Sequence, residues 1–335
     1  MGKGTDMKRG YLIDVPILIV FFIRPNELDQ VFERVKKARP SKLYLYQDGP
    51  RSGNENDMDL ITQCREIVSD EKIDWECKVY KFYRESNVGV DPGEYFAIKW
   101  MFEHEEKGII LEDDVVPDAS FFRFCDELLE KYKEDFRVSF ISGRNNGGVS
   151  QELDSSYAFA GDGGSIWGWA TWKRLVDTWD EKYLWLEDKD SLERIRKNIR
   201  NQPFDYFIEV SSQRRKEGVE YFETILEAAL CLNGGLYVVP KVNLIRSIGM
   251  SENSVHNTSD PRLLPRRVRR LMELPSYEME FPLRHPMEVK ETKEFRPYRI
   301  MKRNTKLDLV EVGIRSMLYE GFKKTWNRIK KGILR

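Results

Sequence analysis

Val15 to Ile23 is an unbroken apolar run ended by Arg24-Pro25, the pattern of a strand buried on both faces of a parallel sheet. From Asn26 to Pro40 the apolar residues recur at helical intervals, with Asn26 in an N-cap position and Pro40 as a stop. A second strand is predicted over 41–51, closing in the turn Asp48-Gly49-Pro50. The pattern then predicts a helix over 59–70, a strand over 75–83, a loop SNVGVDPG and a helix over 93–106. A short strand, Gly108–Leu111, leads into three acids, and a helix from Ala119 to Lys133 and a strand over 137–143 follow.

Alternation of this kind predicts a Rossmann-like α/β fold, a mostly parallel sheet flanked by helices. Such sheets bind ligands at the carboxyl ends of their strands. Arg24 follows the first strand, Asp48 the second, Asn87 and Gly89 the third, and Glu112-Asp113-Asp114 the fourth. All four sets are expected along one edge.

The second half is more mixed. Residues 157–183 are rich in Gly and Trp, a charged helical stretch covers 185–200, and a helix over 218–235 ends in a glycine cap. A strand, LYVVPKVNLI, a polar loop over 247–258 holding His256, and Pro- and Arg-rich sequence from Pro261 come next. A last helix is predicted from Leu307 to Leu334. These breaks suggest an α/β domain over 12–258 and a basic, amphipathic C-terminal extension over 259–335.

The 335 residues are 41% hydrophobic and 33% charged, enough for a substantial core within a soluble protein. Net charge is −1, unevenly spread: residues 261–335 carry 20 lysines and arginines against 9 acids. A basic tail on an acidic body suggests contact with an anionic surface, membrane or nucleic acid, a solvated helix face being the other reading. Cys64, Cys77, Cys125 and Cys231 are widely spaced with no zinc pattern, so reduced thiols and a cytoplasmic setting are expected. The N-terminus has no signal-type stretch, and the run from Val15 to Ile23 falls far short of the ~20 residues that span a bilayer.

A strand-end acidic triplet suits magnesium or manganese, which take oxygen ligands and often share them with substrate phosphates. Acidic strand-to-helix turns are also common, because carboxylates favour a following helix N-terminus, so the triplet alone leaves both readings open. Asp48 is either a hydrogen-bond acceptor for a base or a turn residue before Gly-Pro. Arg24 is either a diphosphate or base contact or a surface strand end. Asn87-Val88-Gly89 brings backbone close to a ligand or makes a plain turn. No glycine-rich phosphate loop follows the first strand, which disfavours a dinucleotide dehydrogenase and a P-loop NTPase. The stretch GGSIWGWATW, with Gly164, Trp167 and Gly168, sets aromatic faces beside glycine backbone, as a sugar ring would need, although tryptophan is also core material.

PILIVFFIRP, LYLYQDGPR, NVG, IILEDDVVPDASFFRFCDELLEKY, IWGWATWKR and PKVNLIRSIGMSENSVHN occur in this order over residues 15–258. On these stretches the chain resembles GT-A-fold nucleotide-sugar glycosyltransferases, a bacterial group akin to the animal Golgi N-acetylglucosaminyltransferases that begin complex and O-mannosyl glycan branches. The resemblance implies that Asp48 contacts the nucleotide base with Arg24 beside it, and that Glu112 and Asp113 contact donor sugar and ribose. It makes Asp114 the direct ligand of manganese or magnesium and places His256 in a loop over the donor diphosphate. Counting back from the Asn-Gly turn puts the catalytic base on Glu223, where relatives carry a Trp-Asp pair; Glu220, Asp177 and Asp180 are the fallbacks.

The expected activity is inverting, metal-dependent transfer of N-acetylglucosamine or another hexose from a UDP-sugar to a hydroxyl of a glycan or lipid-linked acceptor. No nucleic-acid partner is expected. The tail suggests peripheral contact with the inner face of a membrane, an ordinary packed amphipathic helix being the alternative. Competing classes are a sugar-phosphate nucleotidyltransferase and a non-catalytic nucleotide-sugar or glycan-binding protein.

Overall fold

A computed structural model of the chain describes residues 8–161, 164–200, 202–249, 261–292 and 306–321. The strands are β1 (Ile17–Phe21), β2 (Lys42–Gln47), β3 (Lys78–Tyr83), β4 (Lys107–Glu112), β5 (Val115–Pro117), β6 (Val138–Ser142), β7 (Tyr157–Ala160), β8 (Trp169–Trp172), β9 (Leu236–Pro240) and β10 (Ile245–Ser247). The helices are α1 (Pro25–Ala38), α2 (Asn56–Ile67), α3 (Val90–Phe102), α4 (Ala119–Lys131), α5 (Lys173–Val176), α6 (Lys189–Asn198), α7 (Phe204–Glu217), α8 (Phe222–Asn233), α9 (Arg266–Met272) and α10 (Lys306–Glu320).

Eight strands form one sheet in the order β3-β2-β1-β4-β8-β6-β9-β7, and β10 pairs with β5 in a separate ribbon. The pairs β3/β2, β2/β1, β1/β4 and β6/β9 are parallel; β8 runs antiparallel between β4 and β6, and β7 antiparallel on the outer edge. This is the Rossmann-like α/β architecture that strand–helix alternation predicts. Its two antiparallel strands, β7 and β8, do not show in the sequence pattern. Every residue of both is buried, so neither has an alternation to reveal it.

The sheet is covered on both faces. Ile17, Ile19 and Phe21 of β1 join one core with Leu28, Val31, Phe32 and Val35 of α1 and Phe121 and Leu128 of α4. The intervening Leu18 joins a second core with Ile98 and Met101 of α3 and Ile225 and Leu226 of α8. Period-two alternation therefore feeds two cores rather than a core and a solvent face. Each such fully buried aliphatic side chain contributes about 2 kcal/mol through removal of apolar surface from water.

Helix α1 starts one residue before the expected cap: Pro25 is its first helical residue and Arg24 the residue before it. Proline suits that position because its fixed φ is helical and its missing N–H would have no partner there. Helix α8 does end at a glycine, Gly234, with φ 62°. The strand expected over LYVVPKVNLI divides into β9 and β10 around a buried Asn243, whose amide donates to the carbonyls of Ile245 (2.6 Å) and Pro275 (2.7 Å).

The boundary expected at 258/259 lies outside the described residues. The extension beyond it packs on the body: Met279 and Leu283 enter the first core, and the Met279 amide donates to Ser120 Oγ at 2.8 Å. Of the predicted terminal helix, α10 is described, with Val310, Ile314 and Leu318 exposed; residues 322–335 are outside the description. Among the described residues no helix is long and apolar enough to cross a membrane. All four cysteines are free thiols.

Candidate functional site

The register of β1 with β2 and β4 sets Phe21 beside Gln47 and Val20 beside Glu112. Arg24, Asp48 and the acidic triplet therefore leave the sheet at one edge, and Arg84 leaves it there after β3. The edge is held together by the residues expected to work on it.

Asp113 is 6% exposed, and both its oxygens are engaged: Oδ2 accepts the Phe22 amide and Oδ1 the Arg24 guanidinium, each at 3.1 Å. The same Arg24 nitrogen donates to Asp114 Oδ2. Burial opposes the charge of Arg24, but Asp113, Asp114 and Glu112 hold it protonated more firmly than usual. Burial pushes the Asp113 carboxyl up to about 7 against the pull of Arg24.

Asp48 is likewise tied down. It accepts the amides of Gly49 (2.8 Å), Val88 (3.0 Å) and Gly89 (3.1 Å), while Asn87 Nδ2 donates to the Gly49 carbonyl at 3.0 Å. Burial raises its carboxyl, and the three amides oppose the rise. Asp48, Asn87 and Gly89 thus form one unit that fixes the 86–89 loop to the end of β2, with Gly89 at φ 91°. Gly49 could carry no side chain, since a Cβ there would strike the Ser86 backbone.

The Glu112 carboxylate makes no hydrogen bond or ion pair among the described residues. Burial, then the charges of Glu94, Asp114 and Asp113, push its carboxyl well above the ordinary range. Glu94, near the start of α3, is the residue that the sequence pattern does not single out. Burial, then the charges of Glu223, Asp91, Asp114 and Asp113, push its carboxyl up to about 8. Its charged neighbours include Asp113 and Asp114 of the triplet and Glu223 of α8. The only sequence signal for it is an acid close to a helix start, which capping alone would explain.

Glu223 is exposed in the first turn of α8. Two fallback positions for the base are accounted for otherwise. Asp180 accepts the amides of Lys182 (3.1 Å) and Leu184 (2.5 Å) and so caps a 3₁₀ turn. Asp177 is an exposed partner of Lys173 at 2.6 Å. Glu220 lies near Tyr95, whose hydroxyl donates to Glu181 at 3.1 Å.

The Gly-Trp stretch divides between core and edge. Trp169 and Trp172 are 1% and 4% exposed inside β8, covered because that strand lies between β4 and β6. Gly164 is demanded by packing: a Cβ there would meet Phe140 at 2.5 Å. Gly168, at φ +67°, is pressed against Ile245 and Val115. Only Trp167 is half-buried at the edge, with the Arg144 guanidinium 4.4 Å from its ring centroid. His256 lies outside the described residues.

The donor chemistry fits a hard divalent cation. Glu112, Asp113 and Asp114 gather around Arg24, with Glu94 beside the triplet, and the carboxyls of Glu94, Glu112 and Asp113 are raised first by burial and then by neighbouring acids. Among the described residues no three acidic, His or Cys side chains are arranged as a metal cage. Magnesium and manganese do not need one, since one or two carboxylates plus phosphates and water complete their shell. Gly249 passes so close to Asp114 Oδ2 that any side chain there would collide with the carboxylate, and the Ile248 amide donates to the Asp114 carbonyl at 2.9 Å.

No protein-family model matches the sequence, and no curated protein matches it. Three solved structures show a loose likeness. The 4-diphosphocytidyl-2C-methyl-D-erythritol synthase of Anaerococcus prevotii is 9% identical, over 48% of this chain and 73% of its own, at a TM-score of 0.28. The UTP-bound UGPase of Acinetobacter baumannii is 11% identical, over 64% of this chain and 93% of its own, at 0.28. A UDP-glucose pyrophosphorylase complexed with UDP-glucose is 8% identical, over 64% and 97%, at 0.30. None is a Golgi-type glycosyltransferase. Superpositions this loose decide neither a function nor a residue correspondence.

Proposed function

We propose that the protein is a divalent-cation-dependent GT-A glycosyltransferase that moves a hexose, N-acetylglucosamine being the first to test, from a UDP-sugar to a saccharide hydroxyl. One observation carries this reading. The strand-end acids and Arg24 converge on a single edge, and Glu94 of α3 lies within electrostatic reach of both that edge and Glu223 of α8.

Asp114 would hold the cation, which supplies charge neutralisation for the departing diphosphate. The unit built on Asp48, Asn87 and Gly89 would form the floor under the nucleoside, its backbone already fixed and its ordering cost already met. Glu112, with no partner of its own among the described residues, would accept hydrogen bonds from donor hydroxyls. Inversion needs a base on the far side of the sugar from the leaving group. Glu223 would meet that need, being exposed in the first turn of α8 and within electrostatic reach of Glu94. The acceptor proton would pass to its carboxylate as the hydroxyl oxygen bonds to the anomeric carbon.

The test is a panel of UDP-sugars with manganese and a saccharide acceptor, read as release of UDP by the wild-type chain and by Asp114→Ala. Release by the wild type that a folded Asp114→Ala loses is the expected outcome; equal release by both overturns the assignment. Pyrophosphate formation from UTP and a hexose 1-phosphate would establish the nucleotidyltransferase class instead. A thermal shift with UDP-sugar but no turnover of either kind would leave a binding protein.

A further inference from the structure

The edge of the sheet does not end at the acids. Strand β8 runs antiparallel between β4 and β6, so β4 and β6 point the same way and Ser142 lies level with Ile110. Two strand spacings separate them, roughly 10 Å. Beyond β6 the chain turns through Gly143–Val149, and against this turn packs α9, with four arginines in seven residues. A cleft of about 560 Å³ opens between them, lined by Gly148, Arg266, Arg269, Arg270, Glu273 and Tyr277. An adjoining one of about 510 Å³ shares Arg266 and Arg270 and is walled by Asn146, Leu271 and Glu311, whose carboxylate accepts the Arg266 amide at 2.9 Å.

The arginines differ in how they are satisfied. Arg267 pairs with Asp308 at 2.9 Å. The side chains of Arg266, Arg269 and Arg270 make no ion pair among the described residues, and Arg269 Nε is buried without an acceptor there. Behind the wall lies Arg144, 2% exposed. Its Nε donates to Asn146 Oδ1 at 2.8 Å and its Nη2 to the Leu271 carbonyl, while Nη1 is buried with no acceptor among the described residues. A buried guanidinium is ordinarily paired with a carboxylate, because its desolvation is otherwise uncompensated. Burial alone pulls Arg144 down to about 10. The walls are rigid: Asn145 Nδ2 donates to Ser150 Oγ and to the Pro240 and Lys241 carbonyls, and the Tyr277 amide donates to the Asn243 carbonyl at 2.7 Å.

We infer that this cleft is a second, metal-independent anion site, built to take a phosphoryl or diphosphoryl group on the molecule that meets the donor at the acidic half of the edge. Several guanidinium forks around one cleft match a group with more than one negative charge and oxygens in several directions. A single carboxylate would leave most of them unanswered. The site itself stands on the cleft's own residues; only the identification of its occupant as the acceptor rests on the glycosyl-transfer reading.

Calorimetry with inorganic pyrophosphate, in chelator and without divalent cation, tests it on the full chain. The wild type should bind, Asp114→Asn should bind equally, and Arg266→Gln/Arg270→Gln should bind at least about tenfold more weakly, the loss of one or more charge-assisted bonds. Both arginines are exposed, so the double variant should keep the wild-type unfolding temperature. Equal binding by the double variant, no binding by the wild type, or loss in Asp114→Asn would each overturn the site. Flotation with phosphatidylcholine vesicles containing phosphatidic acid separates the sources. Arginine-dependent flotation indicates a lipid-borne phosphate, and pyrophosphate binding without flotation a soluble one. Failure of the UDP-release assay would leave this result untouched.

Discussion

Arg24 holds Asp113 and Asp114 with the same guanidinium nitrogen, so one side chain from the end of β1 sets the spacing of two acids at the end of β4. The side chains of Arg24 and Asp113 are 12% and 9% exposed, and removing the cation leaves covered carboxylates without a partner. Arg24→Ala should cost about 3 kcal/mol in stability. It should also weaken UDP binding more than Arg24→Lys does. Urea unfolding together with calorimetry checks both, and a loss below 1 kcal/mol (roughly a surface pair) would show that the network is dispensable.

The pH dependence has a definite sign. Glu94, Glu112 and Asp113 all have carboxyls raised in the folded state. The folded protein therefore binds protons more tightly than the unfolded chain, and their stabilising contribution is complete below the ordinary carboxylate range. It is lost as pH rises toward about 8. In chelator, the melting temperature should fall from pH 5.5 to 8.5, and Glu94→Gln should flatten the slope. A melting temperature that rises across this interval would contradict the arrangement.

Asp48 answers three backbone amides, and Asp48→Ala would orphan them in a covered setting. The expected cost is about 2–3 kcal/mol. Amide hydrogen exchange should become faster at Val88 and Gly89 first. Unchanged protection there would mean that the loop is held by something else.

Gly168→Ala should be more damaging than its size suggests. The position has φ +67°, and a Cβ would stand 2.5 Å from Ile245 Cδ1. Left-handed backbone and overpacking together cost about 2–4 kcal/mol. A denaturation midpoint equal to wild type would show that the segment shifts freely.

Glu223→Gln should keep UDP-sugar affinity and lower the rate by two to four orders of magnitude, roughly the contribution of a positioned base. Single-turnover kinetics with the best donor of the panel makes the comparison. A wild-type rate would move the role to Glu220.

The parallel half of the fold was legible because its strands are long apolar runs between amphipathic helices. Val15 to Ile23 and the acid-tipped strand at Ile109–Leu111 could hardly be otherwise. The antiparallel β8 was hidden: Trp169, Ala170, Thr171 and Trp172 are all buried, and the direction of a strand is decided by partners far away in sequence. The site shows the same division. Strand ends named Arg24, Asp48 and the triplet, because topology alone brings those ends together. Sequence assigned Asp113 and Asp48 to a ligand, whereas the chain itself occupies much of their hydrogen-bonding capacity. It passed over Glu94, whose nearness to Glu223 depends on how α3 and α8 pack.

Strand β8 also has an electrical consequence. By reversing direction it returns Trp167 and Gly168 to the same edge as the acids of β4 and the turn after β6. One border of the sheet therefore carries the carboxylates that follow β4 on one side of an indole and the guanidinium groups of α9 on the other. An elongated molecule with opposite charges at its two ends has a single favourable direction along such a border. Reversed, it would set like charges together at both ends, so polarity could select the orientation before any close contact forms.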